Sequence, residues 1–379
     1  MSSNKSPKGV AILGSTGSIG KSALNVLERQ QSRFQVRALT AHGNAELLRA
    51  QVERWQPTFS GLVQGNDGDG WNIGSDCLVQ AATRADVDIV INAVVGAAGL
   101  SATLAALTAG KRVALANKES LVIAGEIVTR TAQEHGGTLV PVDSEHSAIL
   151  QCMAGRRTED IRRLIITASG GPFRLWSSER IASATVADAL NHPTWKMGSK
   201  ITVDSATLAN KALEVIEAHH LFGVPYDRIE IVVHPQSIVH SFVEFTDGSV
   251  LAQMGVPSME LPILFALTWP ERVADIGVPP YNPVQQGSLT FEAVRWPDFP
   301  MLQAGIGAGI RGGAAPAIFN AANEVAVAEF LAGRITFSDI AVSVTGALKA
   351  LSDLPGDSLE ALLSADALAR RFVHSRNPT

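Results

Sequence analysis

The sequence predicts an α/β protein with three parts: an N-terminal doubly wound, Rossmann-like domain, a central α+β domain and a C-terminal helical bundle. Three observations carry this prediction. Short apolar runs alternate with helical patterns through about residue 143, which implies parallel strands joined by crossover helices. After that point strand-like runs bracket the two-residue turn Asp247 and Gly248, a hairpin signal. From about residue 300 the remaining periodicity is helical, as in a small bundle.

Taken in order, the first strand is 10–13, "VAIL", running into glycines at 14, 17 and 20. A helical pattern follows, in which Ile19, Ala23, Val26 and Leu27 share one face. Further strands are expected at 36–39, 88–95, 112–116 and 138–142. The second domain offers strands at 163–169 and 228–235, then an alternating hairpin over 238–255. Prolines cluster between 270 and 300 and read as an extended linker. The expected boundaries are 1–143 for the first domain, 144–268 for the second, 269–299 for the linker and 300–379 for the bundle.

Composition narrows the function. The chain has 379 residues, 46% apolar and 18% charged, with a net charge of −5; this is ordinary for a globular enzyme. No basic stripe is present, so nucleic acid is not an expected partner. Two cysteines, Cys77 and Cys152, make no disulfide framework and no metal-ligand spacing. The first nine residues lack the apolar segment of a secretory signal, and a cytoplasmic location is expected. Residues 89–110 carry no charge, but Asn92, Gly96, Gly99, Ser101, Thr103 and Thr108 dilute the run. It reads as a buried strand and an alanine-rich helix rather than a membrane span.

In a doubly wound sheet, ligands sit beyond the carboxyl ends of the strands, so the residues there are the candidates. The turn "GSTGSIG", 14–20, departs from the G-x-G-x-x-G dinucleotide fingerprint by one residue. It reads either as a phosphate cradle at a helix N-terminus or as a turn that only lets strand and helix pack. The second strand ends in "TAHGN" with no acid before Glu46; lacking a partner for a ribose 2′-hydroxyl, this tip favours NADP over NAD. Asp143 and Glu145 flank Ser144 just past a strand. Such hard oxygen donors suit Mg²⁺ or Mn²⁺, or Asp143 simply caps a helix. Asn210 and Glu214 lie four apart on one helical face with Lys211 beside them, a third carboxylate for the metal or a plain surface ion pair. "TASGGPF", 167–173, resembles an anion nest after a strand. "NHPTWKMGSK", 191–200, places His192, Trp195 and Met197 in a loop, either a lid or a tryptophan tucked into the core.

Together the segments "LGSTGSIG" (13–20), "ANKES" (116–120), "PVDSEHSAI" (141–149), "ASGGPF" (168–173), "HPTWKMGSKITVDSATLANKALEVIEA" (192–218) and "NAANEVAV" (320–327) resemble the 1-deoxy-D-xylulose 5-phosphate reductoisomerase family, in the expected order from about residue 9 to 370. The resemblance implies conversion of 1-deoxy-D-xylulose 5-phosphate to 2-C-methyl-D-erythritol 4-phosphate, a rearrangement followed by reduction in isoprenoid precursor synthesis, with NADPH and one Mg²⁺ or Mn²⁺. It implies NADPH contacts at Gly14, Thr16, Gly17, Ser18, Ile19, Asn117, Glu119 and Gly198. At the second-strand tip, where the family often carries a basic or small polar residue beside the 2′-phosphate, this chain has His42, Gly43 and Asn44. The implied metal ligands are Asp143, Glu145 and Glu214. Substrate contacts are implied at Lys118, Ser144, Glu145, Ser169, His192, Ser205, Asn210, Lys211 and Glu214, with Trp195 and Met197 on the closing loop. Lys118, Glu145, His192 and Glu214 are the implied catalytic groups, and a homodimer is the implied assembly.

Three rival readings are tested on the residues. A short-chain dehydrogenase needs Tyr with Lys four later, but Tyr226 and Tyr281 are followed at that position by Glu230 and Gln285. A semialdehyde dehydrogenase needs a nucleophilic cysteine, for which Cys152 is the candidate. A non-catalytic NADP sensor has no use for three metal-directed carboxylates.

Overall fold

The computed structural model describes residues 6–65 and 70–376; residues 1–5, within the stretch read for a secretory signal, lie outside the described residues. In chain order the elements are β1 (Lys8–Leu13), α1 (Ser18–Arg29), β2 (Phe34–Ala41), α2 (Ala45–Trp55), β3 (Phe59–Leu62), β4 (Asn72–Ile73), α3 (Asp76–Thr83), β5 (Ile89–Asn92), α4 (Leu100–Thr108), β6 (Arg112–Leu115), α5 (Glu119–His135), β7 (Thr138–Pro141) and α6 (Ser144–Met153). There follow β8 (Ile161–Ala168), α7 (Ser178–Ala182), α8 (Val186–Leu190), α9 (Ser199–Thr207), α10 (Ala209–Phe222), β9 (Ile229–Val233), β10 (Val239–Phe245), β11 (Val250–Met254), α11 (Glu260–Thr268), α12 (Pro283–Gln286), α13 (Pro300–Arg311), α14 (Ala315–Leu331), α15 (Phe337–Ala350) and α16 (Leu359–Arg376). Contacts group these into two units, one of residues 1–120, 126–147 and 258–280, the other of 121–125, 148–257 and 281–379.

The first unit is built on a sheet of order β4-β3-β2-β1-β5-β6-β7, every pair parallel. Its central strands are covered on both faces, and Val10, Ala11, Ile12, Leu13, Val90 and Ile91 have no exposure. This is why those runs are continuously apolar instead of alternating. The strand order reverses between β1 and β5, so the turns after these strands open at the switch point where such sheets bind ligands.

The first unit also claims a segment that the sequence reading divides between the second domain and the linker. Residues 258–280 belong with the first sheet, where α11 packs on α1 and over β6 and β7. Long-range polar contacts fasten it. Arg29 Nη2 donates to Glu260 at 2.6 Å and its Nε to Asp275 at 2.6 Å, while Arg112 Nη1 donates to the Leu267 carbonyl at 2.9 Å. A Cβ at Gly277 would lie 2.2 Å from the Arg29 guanidinium carbon, so glycine lets the strap pass without moving that side chain. The apolar run 260–268 has no periodicity to show which sheet it covers, and its partners stand more than 100 residues earlier.

The second unit carries a mixed sheet of order β11-β10-β8-β9. β10 pairs antiparallel with β11 and β8, and β8 parallel with β9, and the predicted hairpin turn at Asp247 and Gly248 is present, with Gly248 at φ +87°. One face packs on α10 through Ile166, Val243, Val215, Ala218 and Phe222. Cys152 lies in this same apolar cluster, 7% exposed, the setting of an inert thiol rather than a nucleophile. The predicted linker is not wholly extended: α12 forms within it, and Glu292 bridges Val233. The helical part is centred on α14, which packs against α13, α15 and α16.

Candidate functional site

In the first unit, the turn after β1 shows a separate task for each glycine. Gly14 has φ +84°, and a Cβ there would lie 2.7 Å from the Ala93 carbonyl oxygen. Gly20 sits against the Gly14 oxygen, where a Cβ would approach to 2.4 Å, so helix and strand pack closely. Gly17 meets nothing nearer than 3.4 Å and is exposed, as is Ser18, with Thr16 and Ile19 half-buried. Ser15 is pinned from beneath, its hydroxyl donating to Gln51 Oε1 at 2.6 Å and its carbonyl accepting from Gln51 Nε2 at 2.9 Å. No acid occupies the first turn of α1. The result is a rigid, open helix N-terminus suited to an anion.

At the tip of β2, His42, Gly43 and Asn44 are exposed. Asn44 is engaged in capping α2, accepting from the Leu47 amide at 3.1 Å. A Cβ at Gly43 would meet only Gln64, at an ordinary 3.8 Å, so nothing local requires glycine. Asn117 is buried and works internally: its amide donates to the Val94 and Gly96 carbonyls at 2.8 and 2.9 Å and to Glu119 at 3.1 Å, and Ser120 donates back to it. It ties the loops after β5 and β6 together.

The acidic turn follows β7. Val142 continues the ladder to Leu115 at 2.9 Å, and the Asp143 carbonyl accepts from the Ser147 amide at 2.8 Å, opening α6. Asp143 and Glu145 each present a carboxylate oxygen within 4.8 Å of the other. Asp143 is ion-paired with Lys118, which is 5% exposed. Two carboxylates so close repel unless cations intervene. The lysine and the α6 N-terminus supply part of that positive charge.

In the second unit, β8 ends at a Ser-Gly-Gly turn. Gly170 and Gly171 hold φ +84° and +64°, a backbone only glycine adopts freely. Ser169 Oγ accepts from the Gly171 amide at 3.2 Å and lies 3.0 Å from His192 Nε2. The proton positions follow from the network: His192 Nδ1 accepts from the Thr194 and Trp195 amides at 3.1 and 2.9 Å, so Nε2 carries the hydrogen and donates to Ser169. Burial also holds the imidazole below its usual pKa, favouring the neutral ring. With its oxygen accepting twice, Ser169 has its own hydroxyl hydrogen left to offer an incoming oxyanion. Trp195 and Met197 are half-buried, the indole 6.5 Å from the His240 ring.

The second pole is the junction of α9 and α10. Leu208, at φ +59°, ends one helix and starts the other. Just beyond it Asn210 and Lys211 both donate to Glu214, one to each carboxylate oxygen. Lys211 is 4% exposed and Glu214 1%, so this is a buried pair and not a surface one. Ser205 is half-buried at the end of α9, and a Cβ at Gly171 would lie 2.6 Å from its carbonyl oxygen. The Ser-Gly-Gly turn and α9 are therefore in contact. Gly198 caps α9 from the exposed loop.

Family models described as 1-deoxy-D-xylulose 5-phosphate reductoisomerase match residues 10–125, its C-terminal domain 139–222, and the DXP reductoisomerase C-terminal domain 254–372. A 1-deoxy-D-xylulose 5-phosphate reductoisomerase of Chloroherpeton thalassium is 49% identical over 383 residues, covering 97% of this chain and 98% of the relative. The chain belongs to the 1-deoxy-D-xylulose 5-phosphate reductoisomerase family. The family's solved structures agree in fold. The Zymomonas mobilis enzyme, in complex with NADPH, is 43% identical with a TM-score of 0.90, covering 98% of this chain and all of that one. A reductoisomerase in complex with NADPH, fosmidomycin and magnesium is 41% identical with a TM-score of 0.92, covering 97% and 98%.

Sequence reasoning about the family motifs passed over several residues that hold them in place. Gln51 secures the glycine turn, Ser120 backs Asn117, and Thr207 and Asn323 brace the α9–α10 junction through Asp204. Gln51 and Asn323 act through partners distant in sequence and Thr207 through backbone groups, which residue spacing does not reveal.

Proposed function

We propose that this chain converts 1-deoxy-D-xylulose 5-phosphate to 2-C-methyl-D-erythritol 4-phosphate, with NADPH as reductant and Mg²⁺ or Mn²⁺ as required cation. The first unit is the NADPH-binding domain, its pyrophosphate on the turn from Gly14 to Ile19 and its adenosine end at His42, Gly43 and Asn44. Asp143, Glu145 and Glu214 hold the dication. Ser144, Ser169, His192, Ser205, Asn210 and Lys211 hold the sugar phosphate, and Trp195 and Met197 close over it. The observation that carries the reading is the buried Glu214 gripped by Lys211 and Asn210, in a chain that matches the family along nearly its whole length.

The donors fit both groups. Asp143 and Glu214 are hard oxygen ligands, each balanced by a lysine of its own unit, and a lysine on a carboxylate occupies the place where a dication would neutralise the same charge. A dication held there would supply Lewis-acid polarisation of the substrate's ketone, and NADPH would supply the hydride. The chain's own contribution is placement. Ser169 would offer its hydroxyl hydrogen to the phosphate end, and the neutral Nε2–H of His192 holds that hydroxyl in place. That remote binding energy orders the reacting end. Lys118 and Lys211, beside Asp143 and Glu214, would stabilise substrate oxygens. The loop from His192 to Gly198 excludes water.

The setting we propose is a cytoplasmic homodimer without membrane or nucleic-acid partners. Among the described residues no helix is long and apolar enough to cross a membrane. β11 is an open sheet edge with Val250 and Met254 exposed, a surface that a second copy would extend. The direct test mixes the purified protein with the sugar phosphate, NADPH and Mg²⁺ or Mn²⁺ and follows absorbance of the reduced nicotinamide. Consumption that needs all three additions is expected; a well-folded protein that consumes none overturns the reading.

A further inference from the structure

The segment "NAANEVAV", 320–327, takes no direct part in the site above, yet α14 reaches it. Asn323 has no exposure, and its Nδ2 donates to Asp204 Oδ1 on α9 at 2.8 Å. Asp204 is itself 1% exposed, and its other oxygen, Oδ2, meets Lys200 Nζ at 2.7 Å, one helical turn back. A buried carboxylate is costly unless paired and hydrogen-bonded. Here a cation takes one oxygen and a neutral amide the other, so the second bond adds no charge.

The same residue controls the elbow that follows. The Asp204 carbonyl accepts from Thr207 Oγ1 at 3.2 Å, and that hydroxyl accepts from the Ala209 amide at 3.2 Å. This relay spans Leu208, the left-handed residue where α9 turns into α10. Ser205 adjoins Asp204 on one side of the elbow, and Asn210 and Lys211 follow it on the other.

We infer that Asn323 is a positioning residue: through Asp204 it sets the α9–α10 elbow, and thereby aligns Ser205, Asn210 and Lys211 toward the substrate's phosphate. The inference rests on the phosphate role proposed for those three residues.

The test uses the full-length protein with Asn323→Leu, Asn323→Asp and Ser205→Ala. Readouts are binding of inorganic phosphate, KM and kcat with the sugar phosphate, and affinity for NADPH as a control. Loss of one hydrogen bond to a buried charged group corresponds to about a tenfold change. Asn323→Leu is therefore expected to weaken phosphate binding and raise the sugar-phosphate KM about tenfold, with a smaller fall in kcat and unchanged NADPH affinity. Asn323→Asp sets two carboxylates together, which then share a proton as pH falls. Its defect, taken as a ratio to the unsubstituted protein at each pH, is expected to shrink from pH 8 to pH 6, and this arm stands even if the leucine variant fails to fold. Folded Asn323 variants with unchanged phosphate affinity, while Ser205→Ala weakens it, overturn the inference. So does a defect that ignores pH and burdens NADPH and phosphate alike. If Ser205→Ala also leaves phosphate binding untouched, the phosphate assignment itself fails and the inference loses its premise.

Discussion

Lys211 and Glu214 form an ion pair on one face of α10, with the lysine side chain 5% and the glutamate 1% exposed. Removing one partner from such a pair strands a buried charge, at a cost of about 3–5 kcal/mol, whereas replacing both with apolar groups is near neutral. Glu214→Leu is therefore expected to lose most of the second unit's stability in denaturant melts. Adding Lys211→Met should restore it without restoring turnover. Equal stability of the single and double variants contradicts this account of the pair.

His192 holds its loop through Nδ1 and Ser169 through Nε2. Asparagine keeps an acceptor near the Nδ1 position and no donor at Nε2, whereas glutamine reaches Ser169 but loses the Nδ1 acceptor. His192→Asn is expected to raise the sugar-phosphate KM while keeping the Trp195 fluorescence change on ligand binding. His192→Gln should do the reverse. Indistinguishable variants would remove the tautomer assignment.

His220 gives the second unit an acid-side weakness. Burial, with a smaller push from His219, lowers its pKa from 6.5 to about 4. A Cβ at Gly125 would lie 2.2 Å from its ring, so solvent has little room to enter. Because the folded pKa is depressed, the neutral ring's contribution is complete above the unfolded pKa and drains away as pH falls from 6.5 toward 4. Over that window the loss reaches up to about 3 kcal/mol. The unfolding free energy should fall correspondingly between pH 7 and pH 4.5, and His220→Phe should flatten that slope. An unchanged slope in the variant counts against the assignment.

The helix bearing Glu214 is seated by glycines. A Cβ at Gly305 would lie 2.5 Å from Ala212 Cβ, and one at Gly309 would lie 2.8 Å from Ile216. Overpacking such a contact typically costs about 1–3 kcal/mol. Gly305→Val should lower Tm and raise the metal concentration needed for half-maximal activity, since α10 must shift to accept the methyls. A loss of stability with the metal dependence unmoved would show that α13 supports the fold but not the site.

Much of this was legible in the sequence because parallel strands are marked by continuous apolar runs and the ligand-facing residues come just after them. Val10, Ile89, Val113 and Val140 all fall where that logic puts them. β3 and β4 escaped it: "FSGL" and "NI" are short strands at the sheet's edge, with too little apolar pattern to register. α11 received no reading of its own, and nothing in its apolar run points to its partners Arg29 and Arg112. The Lys211 and Glu214 spacing revealed a pair but not its burial, which depends on how α13 and α10 pack. Asp204 and Asn323, 119 positions apart, become partners only in the fold.

The central claim is that Asp143, Glu145 and Glu214 hold one dication. Titrating Mn²⁺ into the protein and counting bound ions by electron paramagnetic resonance tests it without reliance on turnover. One Mn²⁺ per chain is expected in the unsubstituted protein, and loss of that site in the folded Lys211→Met/Glu214→Leu variant. Binding of equal strength in both proteins would contradict the account.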